Sequence, residues 1–210
     1  MKVIHAIFFR RESGILVMIV LFCLIVGFYK PQFLSLSSLR IVLLLTPLIL
    51  IGAMAQMLVL VARHVDLSIG SMLGFSAMVV GLMYREFPDI WWIVGFPVAI
   101  LTGATLGLFN GLLVTIFKLP SIIVTLGTLS IYRGLTFIIS DARQINRSVI
   151  PTELKAMSRT SPVFDIPWII LLAFGVAVMT YFLARHTQLG RQIYALGSNP
   201  KAAPLRGISV

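Results

Sequence analysis

Polar residues that could do chemistry are few in this 210-residue chain, and only His64 and Asp66 form a close acid–base pair. An imidazole beside a carboxylate could transfer protons as a general acid and base. The sequence does not extend this pair into an active site. It has no Gly-rich phosphate loop, no H-E-x-x-H pair and no nucleophile elbow, and its three histidines are far apart. We therefore predict no catalytic residue, no cofactor and no metal site.

A second group of polar residues lies inside apolar runs, where the relevant chemistry is the binding or passage of a solute. Asn110 and Arg133 are each surrounded by apolar residues. In hydrocarbon, such a group needs a partner, the aqueous interface or a polar pathway. Asn110 either bonds to another helix or lines a pathway, and Arg133 either has a structural, interface-reaching role or lines a pathway. The candidate pathway residues are Asn110, Thr125, Thr128 and Arg133.

The composition indicates the class of protein that must position these residues. Hydrophobic residues make up 59% of the chain and charged residues 11%, against about 45–50% and about 25% in soluble domains. Apolar runs near twenty residues recur, which is the length that spans a bilayer. We predict an all-α, polytopic transmembrane bundle in one domain, 1–210. The six predicted spans are approximately 14–29, 41–62, 67–83, 91–117, 121–140 and 167–184, followed by a hydrophilic tail, 185–210.

The net charge of +10 does not indicate nucleic-acid binding, because the basic residues are scattered between apolar runs. Membrane lipids are the expected partners of these charges. We expect an uncleaved first helix with a cytoplasmic N-terminus, which places the tail in the cytoplasm after six spans. The long polar connection 141–166 is then an external loop, with a short surface helix around 151–157.

Small residues and one acidic turn predict how the helices pack. Asp66 precedes the third span, where its carboxylate can accept from free backbone N–H groups of the first turn. Glycines four residues apart share one helix face and allow close approach of another backbone. The predicted packing glycines are Gly70 and Gly74 in the third span and Gly103, Gly107 and Gly111 in the fourth.

Three stretches together carry a family resemblance. They are 65–71 (VDLSIGS), 107–127 (GLFNGLLVTIFKLPSIIVTLG) and 189–208 (LGRQIYALGSNPKAAPLRGI). The chain resembles the permease subunits of bacterial ABC sugar importers, the branched-chain amino acid and sugar permease family. This family includes ribose, xylose, rhamnose and autoinducer-2 permeases, and the pattern is most similar to the autoinducer-2 or rhamnose type.

The resemblance assigns residues by motif. Asp66, Ser68 and Ser71 match the family's turn-and-helix motif, and Asn110 with Gly111 match its F-N-G. A loop expected on the cytoplasmic, ATPase-facing side is matched by Gly190, Arg191, Tyr194, Gly197, Asn199 and Gly207.

The resemblance also implies a function, which is passage of a monosaccharide or related small polyol across the bacterial inner membrane. The implied partners are a second permease subunit, identical or different, a cytoplasmic ABC ATPase and a periplasmic sugar-binding protein. ATP hydrolysis on the ATPase would account for the missing phosphate loop. Family members have about ten spans, so the resemblance implies a fragment or an early-terminated reading frame. Two alternatives remain, an ion-coupled secondary transporter and a non-transporting membrane scaffold.

Overall fold

The computed structural model describes residues 13–157 and 166–208. The basic N-terminal segment and part of the predicted external loop, 158–165, lie outside these residues. Short 3-10 turns at Pro31–Leu34, Trp92–Val94 and Pro204–Arg206 connect or follow the α-helices. The α-helices are α1 (Ser13–Tyr29), α2 (Leu36–Val61), α3 (Ile69–Glu86), α4 (Gly95–Ile116), α5 (Ser121–Ser140), α6 (Thr152–Ala156), α7 (Trp168–His186) and α8 (Gln188–Ser198).

The all-α class predicted from composition is confirmed, and no β-strand occurs in 13–157 or 166–208. Among the described residues, four helices are long and apolar enough to cross a membrane, namely α2, α4 with its preceding 3-10 turn, α5 and α7. The helix α1 is apolar but has only 17 residues. The helix α3 ends in Arg85 and Glu86, which lower its apolar character. Four of the six expected spans therefore meet the length and composition of a membrane helix.

Several helix ends differ from the predicted bounds for local reasons. The helix α2 begins at Leu36, five residues before the predicted start, where the Ser38 N–H donates to Ser35 Oγ at 3.3 Å. Within the predicted span 91–117, the 3-10 turn Trp92–Val94 leads directly into α4, which begins only at Gly95. The tail 185–210, expected only to be hydrophilic, contains the amphipathic helix α8.

The chain forms two compact units, Met1–Thr46 and Pro47–Val210, which we describe separately. In the first unit, α1 is followed by the 3-10 turn, and Gly27 lies against the side chain of Leu34. A Cβ atom at Gly27 would lie 2.8 Å from Leu34 Cγ. A larger residue at Gly27 would therefore displace the Leu34 side chain.

In the second unit, α3 packs on both α4 and α5, which also contact each other, and α7 packs on α8. Large apolar side chains cover the outward faces, including Leu101, Leu108 and Ile116 on α4. Lipid tails are as apolar as these side chains, so helix association in a membrane depends on close packing and hydrogen bonds between helices.

One such hydrogen bond joins α3 to the turn before α4. Tyr84 is only 1% exposed, and its hydroxyl donates to the carbonyl of Trp92. Gly95 makes room for the ring, since a Cβ there would lie 3.0 Å from Tyr84 Cζ. Tyr84 therefore fixes the connection between α3 and α4.

We expect Tyr84→Phe to lower the free energy of unfolding by about 1–3 kcal/mol, because the Trp92 carbonyl loses the donor that the buried tyrosine supplies. Equilibrium unfolding in detergent micelles measures this loss. Tyr181→Phe is the matched control, because Tyr181 is 62% exposed on α7. Equal stability of the two variants would contradict the assignment.

Candidate functional site

A chain of hydrogen bonds joins α3, α4 and α5 near the start of α3. Asp66 Oδ1 accepts from the Ser68 N–H at 2.8 Å and from the Ser68 hydroxyl at 2.6 Å. Asn110 Nδ2 donates to Ser68 Oγ at 2.8 Å. The Tyr132 hydroxyl lies 2.8 Å from Asn110 Oδ1 and 2.9 Å from the Leu106 carbonyl, and shares its proton between them. We call Asp66, Ser68, Asn110 and Tyr132 the polar network.

Three of the four residues of the polar network are almost completely buried, and Asp66 is partly exposed. Ser68 is 0% exposed, Tyr132 2% and Asn110 5%. Buried polar groups are costly unless they are hydrogen-bonded, and both ends of the Asn110 amide have a partner. Asn110 thus bonds to α3 on one side and to α5 on the other.

The turn before α3 has a different cap from the one predicted. The helix begins at Ile69, and Ser68 is its N-cap residue. The Ser68 carbonyl accepts from the Met72 N–H at 2.9 Å and from the Ser71 hydroxyl at 2.8 Å. Asp66 lies two residues before the cap and accepts from Ser68, not from the first turn of the helix. The motif residues Asp66, Ser68 and Ser71 therefore act together to shape the turn.

The same turn is attached to the start of α5. The Val65 N–H donates to Ser121 Oγ at 3.2 Å, and Thr125 Oγ1 lies 3.3 Å from the Val65 carbonyl. Thr125 also donates to the Ser121 carbonyl of its own helix at 2.8 Å. The connection 62–68 is thus held by α5 as well as by α4.

The predicted pathway residues on α5 occupy two different faces. Thr125 and Thr128 are 3% and 2% exposed, and follow Ser121 at helical spacing toward Tyr132 on the inner face. Arg133 is one residue further, about 100° around the helix, and is exposed. The structure brings Asn110 and Thr125 to the inner side and places Arg133 apart from them.

Arg133 lines an open groove of about 390 Å³ between α3 and α5. Its guanidinium makes no hydrogen bond or ion pair with any residue in the described ranges. The other lining residues are Leu67, Gly70, Ser71, Gly74, Leu129, Thr136 and Phe137. A Cβ atom at Gly70 or Gly74 would meet nothing within 4 Å, so both predicted packing glycines face open space in this chain.

The glycines of α4 differ from one another in how closely a neighbouring helix approaches them. A Cβ atom at Gly103 would lie 3.8 Å from Ser76 Oγ, and one at Gly107 would lie 3.5 Å from Met72 Cε, so both face α3. Gly111 has no such contact and lines a cavity of about 240 Å³ with His64 and Asp66.

Within the part of the chain that the structure covers, no group of three or more His, Cys, Asp and Glu residues could hold a metal ion.

The residues that match the family's loop shape α8 and the turn after it. Gly190 lies against the α7 backbone, where a Cβ atom would be 2.6 Å from the Ala184 carbonyl carbon. Asn199 Oδ1 accepts from the backbone N–H groups of Lys201 and Ala202 at 3.1 and 3.2 Å. Gly207 has a φ of 74°, which favours glycine. Arg191 and Tyr194 remain partly or fully exposed on α8, and Gly197 contacts the end of α2.

Sequence reasoning missed Tyr132, Ser121 and Arg63. The signal for two of them was present in the spacing, because positions 121, 125, 128 and 132 fall on one helical face. Arg63 follows α2 in a turn and gave no periodic signal.

We expect the polar network to show energetic coupling between α3 and α4. In a double-mutant cycle of Ser68→Ala and Asn110→Ala, the coupling should be about 0.6–1.7 kcal/mol, between the average and the maximum for hydrogen bonds between membrane helices. Equilibrium unfolding of the four proteins measures it. Pairing Asn110→Ala with Thr105→Ala, an exposed α4 residue bonded to its own helix, is the control cycle. Zero coupling for Ser68 with Asn110 would contradict the network.

Comparisons with known proteins agree with this architecture. The family model described as the permease component of the branched-chain amino acid transport system matches residues 38–210. The chain is 34% identical over 205 residues to the autoinducer 2 import system permease protein LsrC of Escherichia coli, covering 95% of this chain and 57% of that protein. Identity to LsrC is 32% in Photorhabdus laumondii and 31% in Yersinia pseudotuberculosis, with the same 95% of this chain and 59% and 55% of those proteins covered. No solved structure matches the chain.

The chain therefore spans a little over half the length of these curated relatives. Together with the family match, its four long apolar helices make it a multi-pass membrane protein. The chain belongs to the family of permease components of branched-chain amino acid transport systems.

Proposed function

We propose that the chain is part of a permease subunit of an ABC importer, which moves a monosaccharide or related small polyol across the bacterial inner membrane. The observation that carries the proposal is the groove beside Arg133. The cation of Arg133 has no partner among the described residues, and it lies on a helix that is long and apolar enough to cross the bilayer. The names of the relatives add support, since each is the permease of an autoinducer 2 import system.

The groove has the chemistry of a polyol path. The guanidinium of Arg133 offers five N–H donors. Ser71 donates its hydroxyl proton to the Ser68 carbonyl, and Thr136 donates its proton to the Tyr132 carbonyl at 2.8 Å. Their oxygens keep lone pairs that can accept from a solute. Hydroxyl groups of a sugar both accept and donate, so they match a wall that carries both functions.

The end of the unit that carries the 62–68 turn and α8 is the proposed cytoplasmic side. Arg191 and Tyr194 match the family's cytoplasmic loop, and in this proposal they contact an ABC ATPase from the exposed face of α8. A periplasmic sugar-binding protein delivers the solute at the opposite end. A second permease subunit completes the pathway and covers faces that remain open in this chain.

The energy source separates this proposal from its alternatives. The chain is reconstituted in liposomes with an ABC ATPase and a secreted sugar-binding protein, with and without a second chain supplying the part of the LsrC length that it does not span. Uptake of labelled ribose, rhamnose or autoinducer 2 should require ATP and persist when ionophores collapse ion gradients. Uptake lost with the ionophores alone would indicate a secondary transporter, and no uptake in any combination would indicate a scaffold.

Filling the groove should slow transport without preventing folding. Gly74→Leu places a side chain where nothing lies within 4 Å of the Cβ position, and Arg133→Leu removes the groove's cation. We expect each variant to reduce uptake about tenfold or more, because a solute loses hydrogen bonds or space. The amount of folded protein, measured by size-exclusion chromatography in detergent, should not change.

Gly134→Leu is the matched control for both variants. Gly134 also has open space at its Cβ position and lies next to Arg133, but it does not line the groove. An equal loss of uptake in Gly134→Leu, or a loss of folded protein parallel to the loss of uptake, would support a packing role for this face.

A further inference from the structure

Arg63 lies in the turn after α2 and bonds to the end of a distant helix. It adopts a left-handed backbone conformation, with a φ of 64°. Its guanidinium donates from Nε to the carbonyl of Gly197 and from Nη2 to the carbonyl of Ser198 at 3.1 Å. These carbonyls belong to the last turn of α8, which lacks intrahelical donors and carries the negative end of the helix dipole. A cation at this position satisfies both features.

Steric contact reinforces this polar contact. Gly197 lies against the backbone at the end of α2, where a Cβ atom would be 2.9 Å from the Val61 carbonyl carbon and closer still to its oxygen. The position therefore requires glycine. Val61 and Arg63 hold the end of α8 by packing and by hydrogen bonds, respectively.

The other side of the same turn leads directly to the polar network. Two residues after Arg63, the Val65 N–H bonds to Ser121 on α5. The next residue, Asp66, bonds to Ser68, which bonds to Asn110. Four consecutive residues, 63–66, thus separate the end of α8 from the buried hydrogen bonds of α3, α4 and α5.

We propose that Arg63 is a positioning residue, which clamps the C-terminal carbonyls of α8 to the 62–68 turn so that a displacement of α8 moves that turn and the polar network with it. The clamp itself stands on the geometry, whereas its importance for transport rests on the proposed function. If an ATPase binds the exposed face of α8, Arg63 is the connection through which its movement reaches the bundle.

Hydrogen exchange of the 210-residue chain in lipid nanodiscs tests the clamp. In Arg63→Ala, exchange of the amides of 188–199 should rise about three- to tenfold, because two charge-assisted hydrogen bonds are lost. The amides of α3–α5 should keep their protection. In Arg63→Lys the rise should be smaller, because an ammonium still donates to a carbonyl. Arg85→Ala, which removes an exposed arginine paired with Glu86, is the control and should leave α8 unchanged.

A second variant tests the steric part of the contact. Gly197→Ala should raise exchange of α8 as Arg63→Ala does, whereas Gly175→Ala, at an open position of α7, should not. The proposal is overturned if α8 exchange is unchanged in Arg63→Ala, if α3–α5 lose protection to the same extent, or if either control variant produces the same rise.

Transport measurements test the consequence in the reconstituted importer. With Arg63→Ala, we expect labelled solute moved per ATP hydrolysed to fall about tenfold, while the rate of ATP hydrolysis stays within about twofold. An unchanged ratio overturns the role in coupling. If the wild-type assembly shows no ATP-driven uptake, the proposed function fails, and the exchange experiment still decides whether the clamp exists.

Discussion

A polar group inside a bundle in lipid must find its hydrogen-bond partner within the protein, and the second unit of this chain is built on that constraint. Lipid does not drive apolar helices together as water does. Asn110 bridges Ser68 on one side and Tyr132 on the other, so a single amide determines the rotation of three helices about their axes. Thr125 and Ser121 extend the same pattern to the backbone of the 62–68 turn. The hydrogen bonds therefore specify an arrangement that apolar surfaces alone would leave undefined.

The helical class followed from composition, because no soluble domain tolerates such long apolar runs. Helix ends were also predicted correctly where a single residue type marks them, as at Ser121–Ser140, whose predicted and observed bounds coincide. Boundaries elsewhere shifted by up to five residues, because serine caps and 3-10 turns depend on local hydrogen bonds. For example, Ser68 and not Asp66 caps α3, since the carboxylate is used by the cap residue itself.

The candidate site was harder to predict, because two residues with the same sequence context have opposite environments in the structure. Asn110 and Arg133 are both polar residues within apolar runs, yet Asn110 is buried with a partner at each end of its amide, whereas Arg133 faces an open groove. Helical spacing could have separated Arg133 from Thr125, Thr128 and Tyr132, since it lies outside their repeat. No pattern in the sequence could have paired Arg63 with Gly197, because that contact depends on how α7 returns the chain to the end of α2.

The two ends of α3 are fixed by different side chains, Ser68 at one end and Tyr84 at the other. Sliding α3 by one helical turn, about 5.4 Å, would break both hydrogen bonds at once and expose two fully buried side chains. Sliding of α3 along its axis is therefore a costly motion for this helix. Conformational change in this unit should instead carry α3, α4 and α5 as a rigid body, with bending confined to the loops that border them.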